Sequence, residues 1–216
     1  MPAIDERTDH QRGKKPRVIH PPQKPAFGGP ARTHASTLSM TCTIRRATLA
    51  DAPALAELAA RTFRDAFGAD NRPEDLAMHL AAAYGVPQQT RELADPTMTT
   101  LVAEHVGALV AFAQLRQGKA PACVTGAAPI ELQRFYVAHQ WHGRGLAQAL
   151  KHEVLDAARG VGAATLWLGV WERNPRAIAF YRKAGYTEVG AHTFLVGTDP
   201  QVDRILVRPL ATDGAS

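Results

Sequence analysis

The sequence predicts an α/β fold in which a mixed sheet is covered by helices on both faces. Two observations predict it. Stretches with helical spacing of apolar residues alternate with short apolar strands in the order β-α-α-β-β-β-α-β-α-β-β. Within that order an antiparallel hairpin feeds a strand-helix-strand crossover, which makes the sheet mixed. At 216 residues and 45% apolar content the chain suffices for one core of ordinary domain size.

The elements follow in order. Residues 41–47 (TCTIRRA) read as a strand. Thr48 or Asp51 then serves as N-cap, with Pro53 in the first turn of a helix whose Leu55, Leu58, Ala59, Phe63 and Phe67 recur at helical spacing and which Gly68 ends. A second helix is expected from about Pro73 to Tyr84 and a weaker third from about Gln88 to Leu93, together a lid over an acceptor site. Strands Met98–Glu104 and Leu109–Arg116 meet in a tight hairpin at His105, Val106 and Gly107, and a low-complexity loop, Gln117–Ala128, follows. IELQRFYV (130–137) is then a strand, HQWHGRG (139–145) a turn, and LAQALKHEVLDAAR (146–159) a helix. ATLWLGV (164–170) is a strand, NPRAIAFYRKAG (174–185) a helix, and YTEVGAHTFLV (186–196) and VDRILVRPL (202–210) are two closing strands.

Residues 1–39 are rich in Pro, Gly and charge and lack periodic apolar positions, so a disordered basic tail is expected there and a folded domain over 40–212. The tail accounts for most of the formal charge of +5: it holds seven Lys/Arg against three Asp/Glu, which leaves 18 against 17 for the rest. A nearly neutral domain lacks the clustered cations that phosphate neutralisation needs, which excludes a nucleic-acid partner. No apolar run approaches the ~18 residues of a membrane span, and no signal-peptide core begins the chain. Cys42 and Cys123 match no disulfide framework or zinc spacing. A soluble, cytoplasmic protein without membrane partner or metal is therefore expected. His139, His142, His152 and His192 form no recognisable ligand set.

The most informative segment is Gln140-Trp141-His142-Gly143-Arg144-Gly145, between a predicted strand and a predicted helix. A glycine turn opening a helix presents unpaired backbone N–H groups, and the helix dipole favours an anion there. Gly143 and Gly145 lack a Cβ and so let the backbone approach a pyrophosphate. The segment has neither the Lys-Ser/Thr of a P-loop nor the third glycine of a dinucleotide fingerprint.

Gln140-x-x-Gly143-x-Gly145 after LQRFYV, followed by a helix, a strand and NPRAIAFYRKAGY, resembles the Q/R-x-x-G-x-G/A motif and following helix of the GNAT acetyltransferases. ELQRFYV, LGVWERNPRAIAFYRKAGY, HTFLVG and Gln201-x-Asp203 resemble most closely its branch of PaiA-like polyamine acetyltransferases. The resemblance implies the GNAT acyl-CoA N-acyltransferase fold, a mostly antiparallel sheet of about seven strands with splayed central strands. It also implies acetyl-CoA as co-substrate, with no metal, and a small-molecule amine, polyamine-like, as acceptor. By matching position, Phe135, Tyr136 and Val137 would run along the pantetheine arm. Gln140, His142, Gly143, Arg144, Gly145, Leu146 and Ala147 would surround the pyrophosphate. Asn174, Ala177 and Lys183 would meet the cofactor from the next helix, and Tyr181 would sit beside the thioester sulfur. The resemblance also makes a homodimer an expectation.

A phenol, protonated at neutral pH with a pKa near ~10, can donate to a departing thiolate, so the place the resemblance gives Tyr181 implies the general acid, with a core aromatic of the helix as the alternative. Phe180 beside it is a core aromatic. An amine with a pKa near ~10.4 must lose a proton before attack, at a cost of about 4.6 kcal/mol at pH 7. Glu131 and Glu172, at the ends of central strands, are candidate bases; a water chain or solvated strand-end carboxylates are the alternatives. Trp167 is read as core, Trp171 as a cover for the pocket mouth, and Asp199 and Asp203 as holders of a cationic acceptor or solvated strand-edge acids. The cysteines lie outside the matched motif, so direct attack in a ternary complex is expected rather than a covalent enzyme intermediate. A binding module that senses acyl-CoA without turnover is the rival function.

Overall fold

The computed structural model describes residues 42–210. The expected tail, 1–39, lies outside them. The chain forms β1 (Thr43–Arg46), α1 (Ala52–Phe67), α2 (Pro73–Tyr84), α3 (Val86–Ala94), β2 (Met98–His105), β3 (Ala108–Gln117) and β4 (Pro129–Val137). It continues through α4 (Leu146–Gly160), β5 (Thr165–Trp171), α5 (Pro175–Lys183), β6 (Thr187–Val196) and β7 (Asp199–Pro209). The seven strands make one sheet in the order β1-β2-β3-β4-β5-β7-β6, antiparallel except where β4 runs parallel to β5. The α/β fold and its mostly antiparallel seven-stranded sheet are as expected.

The crossovers β4-α4-β5 and β5-α5-β6 step in the same direction across the sheet, and the general right-handed rule for such connections puts α4 and α5 on one face. Lys151 of α4 lies over the Phe180 ring of α5 at 5.9 Å. The opposite face carries α1, α2 and α3. Phe67 of α1 meets Trp171 of β5 edge-on at 5.8 Å, and Tyr84 of α2 packs against Tyr136 of β4. The main core runs between these layers and includes Leu55, Phe63, Phe112, Leu150, Leu168 and Leu206, each fully or nearly fully buried.

Local sequence explains most element ends. Pro53, Pro73, Pro87 and Pro175 sit in first turns, where their missing N–H costs nothing. The β2–β3 hairpin turns at Val106 (φ 48°) and Gly107 (φ 77°), the pairing of positive φ values that a tight two-residue turn demands. Ahead of α1, the Asp51 carboxylate accepts from the Thr48 N–H and hydroxyl and from the Arg45 guanidinium.

The third helix, expected from about Gln88 to Leu93, is present and runs slightly longer, Val86–Ala94. It is nine residues long and packs against α1, yet its buried residues are Gln89 and Glu92. A helix that buries polar side chains through hydrogen bonds has no apolar stripe for periodicity to detect. Among the described residues, no helix is long and apolar enough to cross a membrane.

Candidate active site

The site is built where β4 and β5 part. The two strands pair only at Pro129–Thr165, Ile130–Leu166 and Glu131–Trp167. Beyond Leu132 the register of β4 against β3 shifts, with Arg134 opposite Gln114 but Leu132 opposite Leu115. Gln133 is thus the extra residue of a bulge, which bends β4 away from β5. The result is a V-shaped opening in mid-sheet, with backbone polar groups on its walls that another chain-like molecule can pair.

At the end of β4 the chain makes a short turn, His139–Trp141, and enters α4. Gly143 (φ 74°) and Gly145 (φ 82°) both take left-handed values, and a Cβ added to either would meet no heavy atom within 4 Å. The space in front of both glycines is therefore open. The first bonded amides of α4 are those of Gln148 and Ala149, both to the Gly145 carbonyl. The amides ahead of them have no acceptor in the helix and face outward. This arrangement fits a pyrophosphate.

The neighbouring side chains fix this turn. His142 Nε2 donates to the Val137 carbonyl at 2.7 Å, which pins the turn to the end of β4, and burial pushes the His142 pKa down. Arg144, exposed, lies over the buried Trp141 ring at 5.8 Å, and Gln140 is exposed on the same turn. Leu146 is buried beneath it and Ala147 partly so.

On the α5 side, Asn174 is the N-cap, its Oδ1 accepting from the Ala177 N–H at 3.0 Å. One face of its amide is thereby spent on the helix. Tyr181 is 1% exposed, its hydroxyl closed to bulk water, with its ring 4.9 Å from Tyr186 and 5.4 Å from Phe180. Lys183 is exposed at the end of the helix. Phe135 and Tyr136 are buried on β4, and Tyr136 is held by ring stacking on Phe112 and a 2.9 Å contact between its hydroxyl and that of Tyr84.

The two candidate carboxylate bases are not brought together. Glu131 lies on the face of α1 to α3, 7% exposed, in the wall of a cavity of about 440 Å³ that Thr97, Arg116, Lys119 and Trp167 also line. Glu172 accepts from Arg204 at 3.1 Å, and Arg204 in turn reaches Glu188, which Arg182 of α5 also contacts. That chain of ion pairs belongs to the α5 face. Trp167 is buried against Val124 and Ile205. Asp203 is buried and Asp199 exposed, and Gln201 ties Asn71 to Asp199.

Pattern reasoning weighed His192, on β6, only as a metal ligand. The structure sets it 3.8 Å from Asp203, over Gly169 of β5. Sequence spacing gives no signal for it, because the three residues come from three strands. Among the described residues no group of three or more His, Cys, Asp or Glu is arranged to hold a metal ion.

Comparison with known proteins gives a consistent picture. Residues 53–186 match the model of the acetyltransferase (GNAT) family. An uncharacterized N-acetyltransferase of Mycobacterium tuberculosis is 36% identical over 162 residues, covering 75% of this chain and 99% of that protein. The N-alpha-acetyltransferase RimI of the same species is 34% identical over 149 residues, 68% of this chain and 80% of RimI. Among solved structures, the PaiA N-acetyltransferase of Thermoplasma acidophilum in complex with coenzyme A superposes with a TM-score of 0.65. It is 19% identical, and the match covers 79% of this chain and 99% of that one, a likeness of fold.

Proposed function

Because the chain belongs to the acetyltransferase (GNAT) family, we propose that it moves the acetyl group of acetyl-CoA to a primary amine of a polyamine-like small molecule. The transfer proceeds by direct attack in a ternary complex. The observation that carries this reading is the joint placement of the β4–β5 opening and the glycine turn at its end.

Acetyl-CoA supplies an acetyl group already activated as a thioester. Gln140, His142, Gly143, Arg144, Gly145, Leu146 and Ala147 hold its pyrophosphate, through backbone N–H groups at the start of α4 and the Arg144 cation. Phe135, Tyr136 and Val137 offer strand backbone to the pantetheine arm, with a β4 amide polarising the acetyl carbonyl. Asn174, Ala177 and Lys183 close the α5 side. Tyr181 protonates the departing thiolate; its burial keeps bulk water from competing for that role.

The amine enters from the face of α1 to α3, opposite Tyr181. Glu131 and Asp203 both lie on that face and are at most 7% exposed, which favours a cationic acceptor. Glu172, held by Arg204 on the other face, is left to structural ion pairing. A second reading, the α-amine of a peptide, draws support from Arg116 and Lys119 in the cavity wall and from the likeness to RimI. Cations there suit an acceptor that also carries a carboxylate.

The test is acetyl-CoA-dependent thiol release with spermidine and spermine, then aminoglycosides, amino acids and peptides. Saturable release with the polyamines is expected. Release with peptides alone would select the second reading, and acetyl-CoA binding with silence across all acceptors would favour a sensor of acyl-CoA.

A further inference from the structure

Resting on the transferase reading, we propose that His192, backed by Asp203, takes the proton of the attacking amine. Trp171 of β5, Asp203 of β7 and His192 of β6 are direct cross-strand neighbours in one row. Trp171 meets Phe67 of α1, so the row lies on the acceptor face. Gly169, two residues before Trp171, shares that face but adds no side chain to it. A Cβ there would stand 3.2 Å from His192 Nε2 and 3.4 Å from Asp203 Oδ2. The imidazole therefore leans across β7 into the space that Gly169 leaves.

The place of Gly169 gives this its meaning. It lies two residues beyond Trp167, the last β5 position paired with β4, and so forms the wall of the opening. Glu131, opposite Trp167, stands at the closed end instead. The His192 side chain is 29% exposed, accessible to an acceptor, whereas Asp203 beside it is 2% exposed. At 3.8 Å the Asp203 carboxylate is too far for a hydrogen bond to Nε2 but close enough to stabilise an imidazolium. Imidazole is also the side chain whose proton exchange is matched to neutral pH; an ordinary carboxylate, with a pKa near ~4, is a far weaker proton acceptor.

The other charged groups near β6 are accounted for. On α2, His79 packs edge-on to Phe194 of β6 at 5.8 Å, and Asp75 holds the β6–β7 turn through Thr198 while paired with Arg72. Cys123 packs against Gly190. Glu188 and Arg204 belong to the ion pairs of the opposite face.

The step balances as follows. The ammonium first gives one proton to solvent; the free amine nitrogen then bonds to the acetyl carbonyl carbon while its N–H proton passes to His192 Nε2. The carbon–sulfur bond breaks, its electron pair stays on sulfur, and Tyr181 supplies the proton that makes the thiol. His192 then releases its proton to solvent and Tyr181 regains one.

The experiment compares wild type, His192→Gln and Asp203→Asn by kcat/KM for the best acceptor across pH 5 to 9, with acetyl-CoA affinity measured on each. In the wild type a rising acid limb is expected. His192→Gln should bind acetyl-CoA as the wild type does, lose kcat/KM by about 10²-fold and lose that limb. Asp203→Asn should keep the limb and lose less kcat/KM than His192→Gln, since the imidazole remains while the charge that backs it is gone. A merely structural role would lower activity without moving the limb. Wild-type turnover with an unchanged limb and rate in His192→Gln overturns the proposal alone. Silence of the wild type with every acceptor overturns the transferase reading and this proposal with it.

Discussion

The guanidinium of Arg134, on β4, and the carboxylate of Glu92, on α3, form a two-point ion pair in which neither side chain is more than 8% exposed. Gln114 of β3 bonds to both, and Arg134 also donates to the Ala83 carbonyl at the end of α2. This network clamps the helical layer onto β4 immediately past its bulge, where the strand has left β5. It thereby holds one wall of the opening. Glu92→Ala strands a buried cation and should destabilise the fold by about 3–5 kcal/mol. Urea unfolding measures this, and Glu92→Gln, which keeps an acceptor for the guanidinium, should lose less.

Tyr181→Phe removes one hydroxyl from a buried ring whose packing on Tyr186 and Phe180 remains. If that hydroxyl protonates the thiolate, kcat should fall by about 10²-fold, while acetyl-CoA affinity and thermal stability stay near wild type. Steady-state kinetics and calorimetric titration check this; an unchanged kcat would remove Tyr181 from the chemistry.

Gly145→Ala forces a Cβ onto a residue at φ 82° in the open mouth of the cradle. The left-handed backbone should cost about 1 kcal/mol of stability. The methyl should also weaken acetyl-CoA binding by blocking close approach to the α4 amides. An alanine at Gly160, at the exposed end of α4 and with no neighbour within 4 Å of its Cβ, serves as the control that leaves binding intact.

The Asp75 carboxylate accepts from the Thr198 N–H and hydroxyl and from Arg72, which holds its pKa below the ordinary carboxylate range. A pKa depressed on folding contributes stability that is fully present above the unfolded value, near ~4, and is lost as pH falls through the folded one. Asp51, lowered by its hydrogen bonds with Arg45, acts in the same direction. Urea midpoints should therefore decline as pH drops from 5 to 3, and Asp75→Asn should flatten that decline.

Much of the fold was legible in the chain because it rests on local rules. Leu55, Leu58, Phe63 and Phe67 mark the buried face of α1 by spacing, and Val106-Gly107 marks the hairpin by its backbone demands. α3 was only faintly legible, because its burial is polar: Gln89 and Glu92 go inside on hydrogen bonds that no hydropathy pattern encodes.

The same division runs through the site. The glycine turn was readable from the chain alone, since Gly143 and Gly145 belong to one loop and glycine permits the positive φ values that the turn takes. The cap that Asn174 gives the helix carrying Tyr181 is equally local, a contact made within three residues, although the sequence reading assigned Asn174 only to the cofactor. The acceptor side, by contrast, is assembled by long-range packing. Glu131 and Glu172 are equivalent strand-end acids in sequence, and strand alternation with the β4–β5 crossover sends them to opposite faces. Gly169, His192 and Asp203 meet across three strands because of register and strand order, which are set by the packing of the whole sheet and not by any one segment.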